Sequence, residues 1–159
     1  MINMTITLTV EISNKEIKNF RELVKEIYSI SLGIGRQLLK TALERLDEEL
    51  LADRDAHRYR CKGFQKTCIK TLLGAVEYKR RVYVDEAAVE SKRCVHLLDE
   101  ELEIDKVGLV SEEVCQIAAS AVCETTYRGA AELITEATGL YFVNSFYGNL
   151  RVLARKLAL

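Results

Sequence analysis

The chain opens with a strict alternation of apolar and polar positions. From Ile2 to Ile12 an apolar residue occupies every even position, and threonine occupies three of the positions between them. Because successive side chains of a strand point to opposite faces, this pattern predicts an amphipathic β-strand over residues 2–12. A single strand needs a partner, so we expect it to pair with the hairpin described below or with a second copy of the chain.

Helical periodicity follows this strand. Ser13 and Glu16 match a capping box, and apolar residues then recur every three or four positions as far as Leu50. The pattern predicts one long amphipathic helix, or two helices that meet at Gly33 and Gly35, since each glycine costs about 1 kcal/mol relative to alanine. We expect the apolar face to pack in the core, with dimerisation through it as the alternative. The acidic residues near its end are interpreted as a solvated face: Glu44, Asp47, Glu48 and Glu49.

Two runs rich in threonine, valine, isoleucine and tyrosine flank Gly74 and predict a β-hairpin. If Leu73 and Gly74 form a two-residue loop, Lys70 faces Glu77, and residues 66 and 81 face each other. One face of the hairpin is then apolar and comprises Ile69, Thr71, Val76, Tyr78, Val82 and Val84. The other face is basic and comprises Lys66, Lys70, Lys79 and Arg81.

Positive charge is concentrated around this hairpin. Residues 54–81 contain nine Lys and Arg and two acids, a net charge of +7, whereas the whole chain has a net charge of −1. Such an asymmetry indicates an anionic partner, most often nucleic acid. The alternative is that these cations only form the solvated side of an antiparallel sheet.

The C-terminal part predicts short helices after a third strand at residues 94–98. Ser111 begins one helix, Thr126 caps a second that Gly139 ends, and a third begins near residues 144–145. Three short helices with a glycine-containing turn resemble a helix-turn-helix. The predicted fold class is α+β: an N-terminal strand and long helix over 1–55, a basic β-hairpin region over 56–105, and a helix-turn-helix-like segment over 106–159.

Other chemistry has weaker support in the sequence. The chain has no apolar run of about 18 residues and no secretory signal, and its five cysteines are odd in number, so we expect a reduced cytoplasmic protein that does not enter the membrane. A small metal-dependent enzyme is a further hypothesis, but the candidate ligands lack the close pairs of structural zinc sites. Those ligands are Cys61, Cys68, Cys94 and His96. Neither His57 nor His96 lies in a recognisable catalytic setting, and we predict no catalytic residue and no metal site in this chain.

Several blocks of the sequence resemble the N-terminal region of ISLre-type insertion-sequence transposases. They are a helix that ends LDEEL, the basic run RYRCKG, the hairpin TLLGAVEYKRRVY, and LLDEEL followed by the predicted helix-turn-helix. The resemblance covers roughly residues 34–150. It implies a DNA-binding region that recognises the terminal repeats of the element. In that family an RNase H-like catalytic domain follows and uses acidic residues with two divalent ions such as Mg²⁺, so this chain alone is expected to be non-catalytic.

The predicted partner is double-stranded DNA, with a homodimer possible, in the bacterial cytoplasm and at the nucleoid. We predict phosphate contacts from seven basic residues of the hairpin region: Arg58, Arg60, Lys62, Lys66, Lys70, Lys79 and Arg81. Arg128, in the predicted helix-turn-helix, is a further predicted DNA-binding residue. Any base reading would come from the last helix, through Asn144, Ser145, Asn149 or Arg151. The alternative function is a structural or dimerisation module with no role in nucleic-acid binding.

Overall fold

A long helix, a three-stranded antiparallel sheet and three shorter helices follow one another along the chain. The computed structural model describes residues 19–87, 93–104 and 110–139, together with Thr7 and Thr9. The elements are α1 (Phe20–Asp53), β1 (Tyr59–Thr71), β2 (Gly74–Asp85), β3 (Arg93–Val95), α2 (Leu97–Glu101), α3 (Glu112–Glu124) and α4 (Tyr127–Thr138). This confirms the α+β prediction. Apart from Thr7 and Thr9, the predicted strand over 2–12 lies outside the described residues, as does the helix expected from residues 144–145.

Helix α1 is continuous through both of its glycines. It begins at Phe20, later than the predicted capping box, because the Asn19 side chain caps it and accepts the backbone N–H of Glu22 at 3.0 Å. At Gly35 the helix lies against the hairpin turn, where an added Cβ would stand 3.0 Å from the side chain of Leu73. Gly35 therefore allows the close approach between helix and turn at a modest cost in helix propensity.

The hairpin turn is Leu72–Leu73, so the predicted loop was wrong. Thr71 pairs with Gly74, and Lys66 faces Lys79 rather than residue 81. The Thr71 hydroxyl fixes this turn, because it accepts the backbone N–H of Leu73 at 3.2 Å and donates to the carbonyl of Gly74 at 3.0 Å. Between residues 63 and 82 each partner is displaced by two residues, so the predicted faces of the hairpin are unchanged.

We expect Gly74→Ala to lower the free energy of unfolding by about 1–3 kcal/mol. Gly74 has φ +107°, and an added Cβ would lie 3.2 Å from the carbonyl oxygen of Thr138, so both backbone strain and a tertiary contact oppose the substitution. Gly63→Ala is the matched control, because Gly63 also has a positive φ but no atom within 4 Å of the added Cβ. Chemical denaturation measures the free energy of unfolding of both variants. An equal loss for Gly63→Ala and Gly74→Ala would contradict this account.

Ten of the buried apolar side chains of the described residues form two clusters. The larger cluster joins one face of the hairpin to α1 and α2, and it comprises Leu43, Ile69, Val76, Tyr78 and Leu98, flanked by Leu39, Leu46, Leu50 and Ile104. The smaller cluster lies between α3 and α4 and comprises Val110, Val114, Cys115, Ala118 and Ile134. The backbone N–H of Ser111 donates to the carbonyl of Lys70 at 2.8 Å, and this bond ties the start of α3 to the hairpin.

Helix α1 also closes one edge of the sheet. Strand β3 pairs with β2 only at residues 83–85, so the rest of that edge of β2 presents backbone donors. Glu44 accepts the N–H of Lys79 at 3.1 Å, and Asp47 accepts the N–H of Arg81 at 3.0 Å. The prediction that Asp47 is solvated was wrong. Asp47 is only 1% exposed, because its carboxylate completes a sheet edge.

The two helices predicted between Ser111 and Gly139 are confirmed as α3 and α4. Thr126 caps α4 by accepting the N–H of Gly129 at 3.2 Å, and Gly139 ends the helix with φ 69°. Strand β3 is shorter than predicted, because His96 is already the N-cap of α2. In the described part of the chain, no helix combines the length and the apolar character needed to cross a membrane.

Candidate nucleic-acid interface

The five arginines of residues 54–81 are all bound within the protein. Arg54 donates to the carbonyl of Tyr59 at 3.0 Å, and the other four form ion pairs with acidic side chains. The pairs are Arg58–Asp85 at 3.1 Å, Arg60–Glu86 at 3.0 Å, Arg80–Asp99, and Arg81–Asp47 at 2.6 Å. The charge asymmetry of the sequence is therefore partly compensated inside the fold.

These ion pairs differ in their exposure to solvent. The Arg58 side chain is half exposed, and its hydrogen bonds to Asp85 hold the pKa of that carboxyl below its usual value. The side chains of Arg80 and Arg81 are only 8% and 12% exposed. A buried guanidinium needs a carboxylate partner, so Arg81 is committed to Asp47 and is not available to a phosphate without breaking that pair.

The lysines of the same stretch have a different environment. Lys62, Lys66 and Lys79 are exposed, and Lys70 is half-buried. Lys66 and Lys79 lie directly opposite each other on β1 and β2. Like charges in a directly opposed cross-strand pair destabilise a sheet, and a bound anion relieves that repulsion.

A third lysine, Lys40 of α1, lines the same groove as Lys66 and Lys79. We call this site the lysine groove and define it by these three residues; its volume is about 500 Å³. In the described parts of the chain, no carboxylate oxygen lies within the 4.0 Å ion-pair limit of any of the three. The carboxylates of Glu44 and Glu77 also line the groove. The Glu44 carboxylate accepts the backbone N–H of Lys79.

Lys40 was missed by the sequence interpretation. The sequence of α1 does not show whether Lys40 faces the hairpin or solvent. The packing of α1 along the edge of β2 brings Lys40 beside the hairpin. No local sequence signal identifies that contact. The site therefore combines one residue from the helix with two from the strands.

The other predicted contacts do not join the lysine groove. Lys62 stands in a β-bulge between Cys61 and Gly63 and lines a separate cavity of about 380 Å³. Arg128 is exposed on α4, where it pairs with Glu132 at 3.1 Å. The predicted base-reading residues lie outside the described residues: Asn144, Ser145, Asn149 and Arg151.

The cysteines and histidines do not assemble into a metal site within the described residues, where no group of three or more His, Cys, Asp or Glu side chains could hold an ion. Burial, with a smaller contribution from Glu77, raises the pKa of the Cys68 thiol. That shift favours the protonated thiol over the reactive thiolate. His96 is engaged through Nε2, which lies 2.7 Å from Oε1 of Gln65.

The fold and the groove define an α+β protein with a lysine-lined surface between a long helix and a hairpin. The chain belongs to the Uncharacterised protein family (UPF0236), whose family model matches residues 13–145. No solved structure matches it.

Similar curated proteins come from Caldanaerobacter subterraneus subsp. tengcongensis. UPF0236 protein TTE2489 is 27% identical over 120 residues, which are 74% of this chain and 25% of that protein. A second relative is 27% identical over 115 residues, 72% of this chain and 24% of its own length, and its name joins eleven UPF0236 designations from TTE0033 to TTE2212. The chain thus spans about a quarter of the length of the curated relatives it matches.

Proposed function

We propose that this chain is a DNA-binding region of a transposase-like protein and contacts the phosphate backbone at the ends of an insertion sequence. The observation that carries the proposal is the lysine groove, where Lys66 and Lys79 face each other and Lys40 adds a third positive charge. Three cations with no carboxylate partner among the described residues are suited to a polyanion. Among the described residues, no group of three or more His, Cys, Asp or Glu side chains could hold a metal ion.

Two further observations support the transposase-like part of the proposal. The resemblance to ISLre-type transposases covers the hairpin that carries two of the three groove lysines. In addition, one relative carries eleven designations in a single organism. One protein under many designations is expected when its gene is present in many copies, as genes of mobile elements are. Strand cleavage and transfer, with their divalent ions, would belong to the longer protein and not to this groove.

The proposal is tested by measuring binding to random duplex DNA at about 50 and 200 mM salt. Four phosphate contacts, from the groove lysines and Lys62, predict a loss of affinity of about 150-fold over this range. Seven contacts, as predicted from the sequence alone, would give a loss of about 6,000-fold. A loss near the smaller value supports the assignment of the arginines to internal ion pairs. Absence of binding at the lower salt concentration contradicts the proposed function.

A second candidate function, self-association, is favoured by an exposed apolar stripe on α1. Phe20, Val24 and Ile27 are 80%, 49% and 42% exposed, and Leu38 continues the stripe at 37%. The spacings of four and three residues from Phe20 to Val24 and Ile27 are those of a coiled-coil seam, which fits the same stripe of a second copy, and Leu38 follows eleven residues after Ile27. In this alternative the lysines of the hairpin are only solvated.

Self-association through α1 predicts a solution mass of twice 18.0 kDa. The double substitution Val24→Glu and Ile27→Glu should return the mass to 18.0 kDa, because four carboxylates would meet in the seam of the dimer. Analytical ultracentrifugation measures this, with Lys25→Glu as the control for added negative charge at an exposed neighbouring position. A monomeric wild-type chain, or a double variant that stays dimeric, contradicts the α1 interface.

A further inference from the structure

An exposed aromatic ring lies at one end of the lysine groove. Phe64 is 63% exposed on β1 and stands two residues before Lys66 on the same face of the strand. In the sheet register Phe64 faces Arg81. The ring is therefore an apolar group on a hairpin face that also carries Lys66, Lys79 and Arg81.

The Phe64 ring is held by a chain of fixed contacts. The Arg81 guanidinium lies 4.6 Å from the ring centroid, at cation–π distance. The same guanidinium is fixed by Asp47 at 2.6 Å, and the side chain of Asp47 is only 2% exposed. Because Arg81 is anchored to a buried carboxylate, the ring is placed before any ligand arrives, while more than half of its surface stays open to solvent.

A cavity of about 240 Å³ adjoins the ring and continues the lysine groove. It shares Lys40, Glu44 and Lys79 with the groove, and its remaining lining residues are Asp47, Glu48, Phe64 and Arg81. An exposed aromatic ring beside a cationic groove is the arrangement by which proteins bind single-stranded nucleic acid, with bases stacked on the ring and phosphates on the cations. A carboxylate at the wall, such as that of Glu48, is an acceptor for the amino group of a base.

We propose that Phe64 stacks against an unpaired base, so that the lysine groove binds DNA that is single-stranded or locally unpaired more tightly than fully paired duplex. This inference rests on the proposed DNA-binding function and specifies its substrate. The lysines contact the backbone on either side of the unpaired nucleotide, and the ring supplies a sequence-tolerant contact that a paired base inside the stack cannot make.

The test compares two labelled probes, a fully paired duplex and the same duplex with three consecutive unpaired thymines in one strand. Phe64→Leu should weaken binding to the probe with unpaired thymines by about 5- to 150-fold, the range of one lost stacking contact. Binding to the fully paired duplex should change by less than about twofold, because the lysines are untouched. Phe64→Trp should retain the preference, since it preserves a stacking surface.

A matched control separates loss of stacking from loss of an exposed apolar group. Phe20→Leu alters another exposed phenylalanine, on α1 and outside the groove. It should change neither the affinity for the fully paired duplex nor that for the probe with unpaired thymines. Thermal melting of each variant checks that the fold is retained, and if Phe64→Leu does not fold, Phe64→Tyr and Phe64→Trp still test whether the preference follows the aromatic surface.

Three outcomes overturn the inference, and they are distinguishable from failure of the proposed function. If Phe64→Leu binds both the probe with unpaired thymines and the fully paired duplex as tightly as the wild-type chain does, Phe64 is not part of the interface. The DNA-binding proposal is unaffected by that result. Equal losses on both probes make the ring a structural residue. A change in solution mass with unchanged DNA affinity makes it a protein contact. If neither probe binds the wild-type chain, the DNA-binding function itself fails and the stacking site fails with it.

Discussion

Replacing Asp47 by alanine is expected to lower the free energy of unfolding by about 3–5 kcal/mol. The carboxylate of Asp47 accepts the backbone N–H of Arg81 at 3.0 Å and the guanidinium of the same residue at 2.6 Å. The side chain of Arg81 is 12% exposed, and Asp47 is 1% exposed. Its removal leaves a charge and a strand N–H without a partner, and water does not replace the carboxylate at a buried sheet edge.

Glu48→Ala is the matched control for this substitution. Glu48 is the next residue on α1 and is exposed, so its replacement should change stability by no more than about 0.5 kcal/mol. Urea denaturation of the two variants measures the difference. Similar losses for Asp47→Ala and Glu48→Ala would show that α1 does not close the edge of β2 through the Asp47 carboxylate.

The second large effect is expected at the buried Arg80–Asp99 pair. The two side chains are 8% and 2% exposed, so Asp99→Leu leaves the Arg80 guanidinium uncompensated and should cost about 3–5 kcal/mol. Adding Arg80→Met to Asp99→Leu should recover most of that loss, because two apolar side chains replace a pair whose desolvation offsets much of its attraction. A double variant that is less stable than Asp99→Leu alone would contradict the ion pair.

This pair also explains why the hairpin tolerates an arginine on its apolar face. Arg80 lies two residues from both Tyr78 and Val82 along β2, so it shares their face and points toward the core. Asp99, in the first turn of α2, supplies the buried counter-charge. Helix α2 thus neutralises a charge of the sheet in addition to contributing Leu98, which is fully buried, to the larger core cluster.

Local patterns predict most of the described elements. The apolar periodicity of residues 20–50 becomes α1, and the β-branched runs around Gly74 become β1 and β2. The helix signals at Ser111, Thr126 and Gly139 coincide with the observed ends of α3 and α4. These signals depend on side chains within a few residues of one another, so the sequence contains the information needed to place them.

The hairpin turn and the division of the basic residues depend on distant contacts instead. The turn is seated by Arg36 of α1, which donates to the carbonyl of Leu73 at 3.0 Å. Arg81 and Lys79 have the same charge and lie on the same strand face, yet only Arg81 meets a buried carboxylate, from a residue on α1. Charge counting predicts a basic region but does not distinguish cations that stabilise the fold from cations that remain available to a ligand.

The most direct test of the DNA-binding account is the salt dependence of duplex binding by the triple variant Lys40→Ala, Lys66→Ala and Lys79→Ala. The slope of log K against log salt concentration should become shallower by about 2.7 relative to the wild-type chain, since three phosphate contacts are lost. A control variant removes the same charge from α1 through Arg21→Ala, Lys25→Ala and Arg45→Ala and should keep the wild-type slope. An unchanged slope in the groove variant, or an equal change in both variants, would contradict the assignment of the lysine groove to DNA.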